Sequence, residues 1–190
     1  RPEALDIGRQ RLAEINNRSP NIEFRWLHSL EQATKGGDLC IVATRAEGRG
    51  QVVQDVVQGL GYSNFILEKL VSQSVLEIEG LIEFTVAKKV SAWVNCKARA
   101  YPLHLAIKRN LRPEEPVSFS ALGGNWGLAT NGVHIADTFA FYDGSPAITS
   151  NGGSIDQVLH PSKRGDELFD LSGTLHGQTE KGSQITISYL

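Results

Sequence analysis

The sequence predicts an α/β chain in two parts. A parallel sheet built from βαβ units occupies residues 1–94, and an α+β unit on a largely antiparallel open sheet occupies residues 95–190. Three observations carry this. Short apolar runs alternate with helical patterns as far as Asn95, which is the signature of strand–helix–strand units. The connections between them are short, and such units form parallel sheets. After Asn95 the pattern changes to a helix, a strand, a helix and then alternating strands joined by a hairpin signal, so the boundary is placed there.

Taken in order, Pro2 to Asn16 reads as a helix with proline in its first turn and Leu5, Gly8, Leu12 and Ile15 on one stripe. Ser19-Pro20-Asn21 breaks it. Ile22-Glu23-Phe24-Arg25-Trp26 alternates as a short strand should, and Ser29 to Ala33 is a helical turn. Leu39 to Thr44 is a continuous apolar run, which suits a strand buried on both faces. A helix with Val52, Val53, Val56, Val57 and Leu60 follows and stops at Gly61. Phe65-Ile66-Leu67 is a second buried strand, closed by Glu68-Lys69. Ser74 and Glu77 form a capping box for a helix expected to turn Val75, Ile78, Leu81, Ile82 and Val86 inward. Val90 to Asn95 is the third strand.

In the second part, Tyr101 to Leu111 is a helix stopped by Pro113 and Pro116. Val117 to Ala121 is a strand. A glycine-rich exit, Gly123-Gly124-Asn125-Trp126-Gly127, leads into a helix over Ile135–Phe141 that runs to about Tyr142. Ile155–Leu159, Glu167–Gly177 and Ile185–Leu190 read as strands, and residues 178–183 as a hairpin turn. Leu168, Leu171, Leu175, Ile185, Ile187 and Leu190 offer more apolar strand surface than one helix can bury, so a homo-oligomer through the open sheet face is expected.

Composition excludes several classes. The net charge is -2 and no basic run stands out, so nucleic acid is not the expected partner. No apolar stretch is long enough to span a bilayer and no signal-peptide pattern opens the chain, so neither membrane nor export is expected. Cys40 and Cys96 make neither a disulfide framework nor a metal set. A cytoplasmic protein follows. No Walker loop, zinc ligand set, nucleophile elbow or G-x-G-x-x-G fingerprint is present. His28, His104, His160 and His176 stand alone, and no metal site is expected.

Two places carry chemistry. In parallel sheets the ligand sits at the carboxyl ends of the strands, and here those ends bear Thr44-Arg45 and Glu68-Lys69. Such charged ends also suit plain solvated loops, the reading given to Arg45 and Arg49. The second place is Gly123 to Asp137. Glycines allow close backbone approach to a ligand, and Asn131, His134 and Asp137 fall one turn apart on one helix face. A tight turn leading into a solvated helix face fits the same residues.

Leu39 to Arg45, Phe65-Ile66-Leu67-Glu68-Lys69 and Gly123 to Asp137, in that order, resemble the glucose–fructose oxidoreductase and inositol dehydrogenase (Gfo/Idh/MocA) family across nearly the whole chain. The resemblance implies an amino-terminal Rossmann domain, here partial, and a carboxyl-terminal domain on an open, largely antiparallel sheet. It implies NAD or NADP as cofactor and a hydroxyl of a sugar, cyclitol or nucleotide sugar as substrate. Glu68-Lys69 resembles the family's Glu-Lys-Pro segment, with Leu70 in the proline's place. His134 resembles the histidine proposed for proton transfer. The family often has an aspartate four residues before it, where this chain has Thr130. On this basis Lys69 and His134 are the expected catalytic residues. Thr44, Arg45, Glu68 and Lys69 are expected at the cofactor, and Asn125, Trp126, Asn131 and Asp137 at the substrate. The resemblance also implies a first strand and glycine loop ahead of Arg1, and a sheet continuing past Leu190. A redox-neutral lyase or hydrolase of the same fold, and a non-catalytic dinucleotide-binding protein, are the alternatives.

Overall fold

The computed structural model describes residues 2–16, 23–124, 127–161 and 167–190. Two sheets organise them. The first is parallel, in the order β1 (Cys40–Val42), β2 (Asn64–Leu67), β3 (Ser91–Val94). The second is mixed, in the order β4 (Ser118–Gly123), β7 (Gln184–Tyr189), β6 (Phe169–Gln178), β5 (Thr149–Pro161). Its β5–β6 and β6–β7 pairs are antiparallel, and β4 joins β7 in parallel. This is a partial Rossmann-like sheet with a second α+β unit. The helices are α1 (Pro2–Asn16), α2 (Arg49–Leu60), α3 (Val75–Lys88), α4 (Pro102–Asn110) and α5 (Leu128–Asp143).

The first core forms where the apolar spacing of α2 meets the sheet. Val53, Val56 and Leu60 pack with Val42, Phe65, Leu67 and Leu81. Gly61 ends α2 in the left-handed conformation, its N–H bonded to Val57 O, the usual role of glycine past a helix end. Ser74 caps α3 by accepting from Glu77 N–H. The reciprocal half of the capping box is rerouted. Ser74 N–H donates to Ser72 Oγ at 3.1 Å, and the Ser72 hydroxyl donates to the Glu77 carboxylate. The second core packs α5 on the mixed sheet through Leu128, Phe139, Ile185, Ile187 and Tyr189.

Several expectations are corrected. Residues 23–26 form no strand, and Ile22 and the break at 19–21 lie outside the described residues. Alternation alone does not make a strand without a neighbour to pair with. Trp26 instead lies under Arg9 and against Gly8 of α1. The strand at Cys40–Val42 is not buried on both faces, since Ile41 is 64 % exposed. On α3 only Leu81 is fully buried, while Val75, Ile82 and Val86 are exposed. One helix face meets α2 and the sheet, and the apolar pattern is wider than that contact. Residues 167–168 precede β6 rather than belong to it. Ile185 and Ile187 lie beneath α5, and Leu171 packs against the same cluster. Neighbouring rungs on β6 and β7 carry polar pairs, Thr174 with Ser188 and His176 with Thr186. Of the apolar residues expected on an open face, Ile185, Ile187 and Leu171 are thus taken up beneath α5, while Leu175 and Leu190 remain exposed. Both cysteines are free thiols.

Candidate functional site

The helix α5 begins at Leu128, immediately after the glycine exit, rather than near Ile135. One acidic residue explains this. Asp170, on β6, accepts from Ala129 N–H at 3.0 Å through Oδ1, and its Oδ2 accepts from the Thr130 hydroxyl. A carboxylate over the first turn satisfies orphan N–H groups and opposes the positive end of the helix dipole. Gly127 precedes the helix at φ 81°, and a Cβ there would lie 2.1 Å from Asp170 Oδ2. Only glycine lets the carboxylate approach this closely.

The first turn so held reaches the end of β2. Lys69 is 9 % exposed and its Nζ donates to Thr130 O at 2.6 Å and to Asn131 Oδ1 at 3.4 Å. Glu68, beside it, accepts from Asn95 Nδ2 at 2.5 Å. The Lys69–Leu70 peptide bond is cis. Between these elements lies a cavity of about 510 Å³, with Thr44, Arg45, Glu68, Lys69 and Thr130 in its wall and Phe169 at one side. That volume falls within the range of small-molecule sites. It sits at the carboxyl ends of the parallel strands, where crevice ligands bind in such sheets.

Arg49, read from the sequence as solvated, is 2 % exposed. Its Nη1 donates to Glu68 O at 2.5 Å and to Leu70 O, and its Nη2 donates to Thr44 O. Burial pulls its pKa down and the Glu68 charge partly restores it. His134 lies one turn past Asn131 on α5. Burial, and then the Lys69 charge, hold its imidazole below the ordinary histidine range, which favours the neutral form at pH 7. Asp137 lies on the same face but is occupied elsewhere. Arg99 binds it with both carboxylate oxygens, at 2.6–2.9 Å, and stacks over Phe141.

The structure thus brings together Thr44, Arg45, Glu68, Lys69 and Asn131, places His134 next to them, and turns Asp137 toward Arg99. Asn125 and Trp126 lie outside the described residues. Sequence reasoning missed Arg49 and Asp170. Both left a signal: a cation at a helix start opposes the dipole, and aspartate is depleted in strands.

No family model matches the chain, and no curated protein matches it. Solved structures do. A dehydrogenase (MviM) from Clostridium difficile superposes with TM-score 0.66 at 18% identity, covering 95% of this chain and 58% of its own. GenD2 from gentamicin A biosynthesis, in complex with NAD, gives TM-score 0.69 at 14% identity, covering 93% and 54%. This chain shares its fold with these two proteins. The transcriptional regulator Gal80p from Kluyveromyces lactis has it too, with TM-score 0.65 at 15% identity over 85% and 50%. The chain spans about half the length of the structures it matches. Among the described residues no helix is long and apolar enough to cross a membrane, and no cluster of metal-ligating side chains occurs.

Proposed function

We propose that the protein is an NAD(P)-dependent oxidoreductase acting on a hydroxyl of a sugar, cyclitol or nucleotide sugar. In this reading residues 1–94 bind the dinucleotide, and residues 95–190 contribute substrate and subunit contacts. The observation that carries it is Lys69, a nearly buried ammonium at the carboxyl end of a parallel strand, facing a cavity and held by the first turn of α5.

The walls of that cavity fit the nicotinamide end of such a cofactor. Thr44, Arg45 and Lys69 supply donors, and the buried Arg49 Nε has no partner among the described residues. When bound, the nicotinamide supplies the hydride donor or acceptor. The chain's own residues do the rest. Lys69 donates to the reacting oxygen and moves its proton, easing the negative charge that develops there. Neutral His134 accepts or returns a proton at its imidazole or orients the substrate. Asn131 orients a hydroxyl, and Asn125 and Trp126 are assigned to substrate on the sequence alone. The test is NADH and NADPH titration of the full-length protein, followed by absorbance at the nicotinamide band with a panel of sugars and nucleotide sugars. Substrate consumed without net absorbance change would mark a redox-neutral enzyme instead.

A second reading, a dinucleotide-binding protein without turnover, is favoured by one observation. Thr130 is bonded to Asp170 and Asp137 to Arg99, so neither carboxylate is left for His134. Cofactor binding without turnover on any substrate would support it. Association of copies is proposed through the edge strand β5, where Ile155, Val158 and Leu159 are exposed and an open strand edge invites pairing. A monomer at micromolar concentration by sedimentation would rule that out.

A further inference from the structure

We propose that Arg49 is a positioning residue for Lys69: its guanidinium clamps the backbone on both sides of that lysine and so sets where the ammonium sits. The inference rests on the reading of Lys69 given above.

The geometry is specific. Arg49 is the first residue of α2, yet its side chain leaves the helix and runs under the strand ends. It meets the carbonyl of Glu68, before Lys69, and that of Leu70, after it. The third acceptor is Thr44 O, just past the end of β1. One planar group thus joins the carboxyl ends of two neighbouring strands and fixes both flanks of a single residue. A buried cation at a helix start carries a desolvation cost and an adverse dipole. Its persistence at 2 % exposure is explained by the three carbonyls it satisfies. A guanidinium stays charged at any working pH and holds its donors in a rigid fork, whereas a lysine ammonium is a single mobile point. The clamp is therefore constant while Lys69 and His134 exchange protons. Glu68 is tied from the other side by Asn95 Nδ2, and its N–H donates to Val42 O at 3.0 Å, which leaves the Leu70 flank to be held by Arg49.

The readout is the reactivity of Lys69 toward acetic anhydride, followed by mass spectrometry on the full-length wild type, Arg49→Ala and Arg49→Lys. Lys181, held by Asp143 far from the cavity in sequence, serves in the same digest as the monitor of general loosening. In Arg49→Ala the labelling rate of Lys69 is expected to rise by about 10-fold or more, because charge-assisted bonds holding both its flanks are lost. Lys181 is expected to stay within about 2-fold, as the opening is local. Millimolar guanidinium, below denaturing levels, should return Lys69 toward wild-type protection. Arg49→Lys should show the same rise to a smaller extent, and it decides the matter if Arg49→Ala does not fold. Unchanged Lys69 labelling would overturn the proposal, and so would Lys69 and Lys181 rising together without guanidinium rescue. Wild-type protein that lacks oxidoreductase turnover yet shows the Arg49-dependent change would remove the functional reading and leave the clamp standing. Normal turnover with Arg49-independent labelling would do the reverse.

Discussion

Replacing Asp170 by alanine removes the acceptor that starts α5. Three bonds are lost together: from Ala129 N–H at 3.0 Å, from Leu171 N–H at 2.9 Å and from the Thr130 hydroxyl. Loss of a helix-capping acceptor costs about 0.5–2 kcal/mol. The half-buried Thr130 hydroxyl, left without its acceptor, adds about 1 kcal/mol. The sum is about 1.5–3 kcal/mol, with the shared carboxylate making the terms less than independent. For a chain of this size that is a fall in Tm of roughly 3–12 °C, at about 2–4 °C per kcal/mol. Asp170→Asn keeps an oxygen for Ala129 N–H and Leu171 N–H but loses the charge and puts an NH2 donor where the Thr130 hydroxyl found its acceptor, so its loss should be about half as large. The assay is thermal and urea unfolding by circular dichroism, with Thr130→Val combined with Asp170→Ala to measure coupling. The perturbation also reaches the site, because Thr130 O accepts from Lys69 and sits in the turn that would fray. An Asp170→Ala protein within about 0.5 kcal/mol of wild type, the range of ordinary surface changes, would refute the capping argument.

Other predictions follow from the same contacts. Lys181 donates to Asp143 Oδ1 at 2.7 Å, where the carboxylate is fully enclosed, so Lys181→Met should cost about 3 kcal/mol by leaving a buried charge with hydroxyl donors but no cation. Burial pushes the Asp143 carboxyl up, but hydrogen bonds from Lys181 and Ser183 outweigh it and hold the group below its usual range. Its stabilisation is present above the unfolded value of 3.8 and is lost as pH falls through the folded pKa. The Lys181→Met penalty should therefore shrink in acid, as Asp143 protonates, which urea unfolding across pH will show. His134 has the same sign at higher pH. Its folded pKa lies below the unfolded 6.5, so the unfolded chain takes up the proton first and stability falls as pH drops below that value. His134→Gln should flatten Tm against pH in that window, and an unchanged slope would contradict the stated environment.

Local patterns were readable and distant pairings were not. The spacing of Val53, Val56 and Leu60, the glycine stop at Gly61 and the strands of the parallel sheet follow from periods of three to four and from turn chemistry, all held within a dozen residues. Asn131 and His134 fall on one helix face as their spacing requires. The partners of these residues come from elsewhere in the chain. Asp170 reaches Thr130 across 40 residues, and Arg99 reaches Asp137 across 38, with no local mark of either pairing. Arg49 stands between two glycines, a context that reads as solvent until the carbonyls of Glu68 and Leu70 are seen beside it. The Phe24–Trp26 segment had the alternation of a strand and lacked only a neighbour, which no local pattern supplies.

The central claim is that Lys69, at the end of β2, performs proton transfer beside a nicotinamide cofactor. The most direct measurement is steady-state turnover of full-length wild type and Lys69→Ala on the substrate identified by the panel, with NADH and NADPH titrations of both. Loss of a general acid–base group should lower kcat by roughly 10²–10⁴-fold. Cofactor affinity should change little, because dinucleotide phosphates bind at glycine-rich helix starts rather than at this lysine. Turnover of Lys69→Ala close to wild type would contradict the account, and loss of cofactor binding with kcat preserved at saturation would place Lys69 at the cofactor instead of the reacting proton.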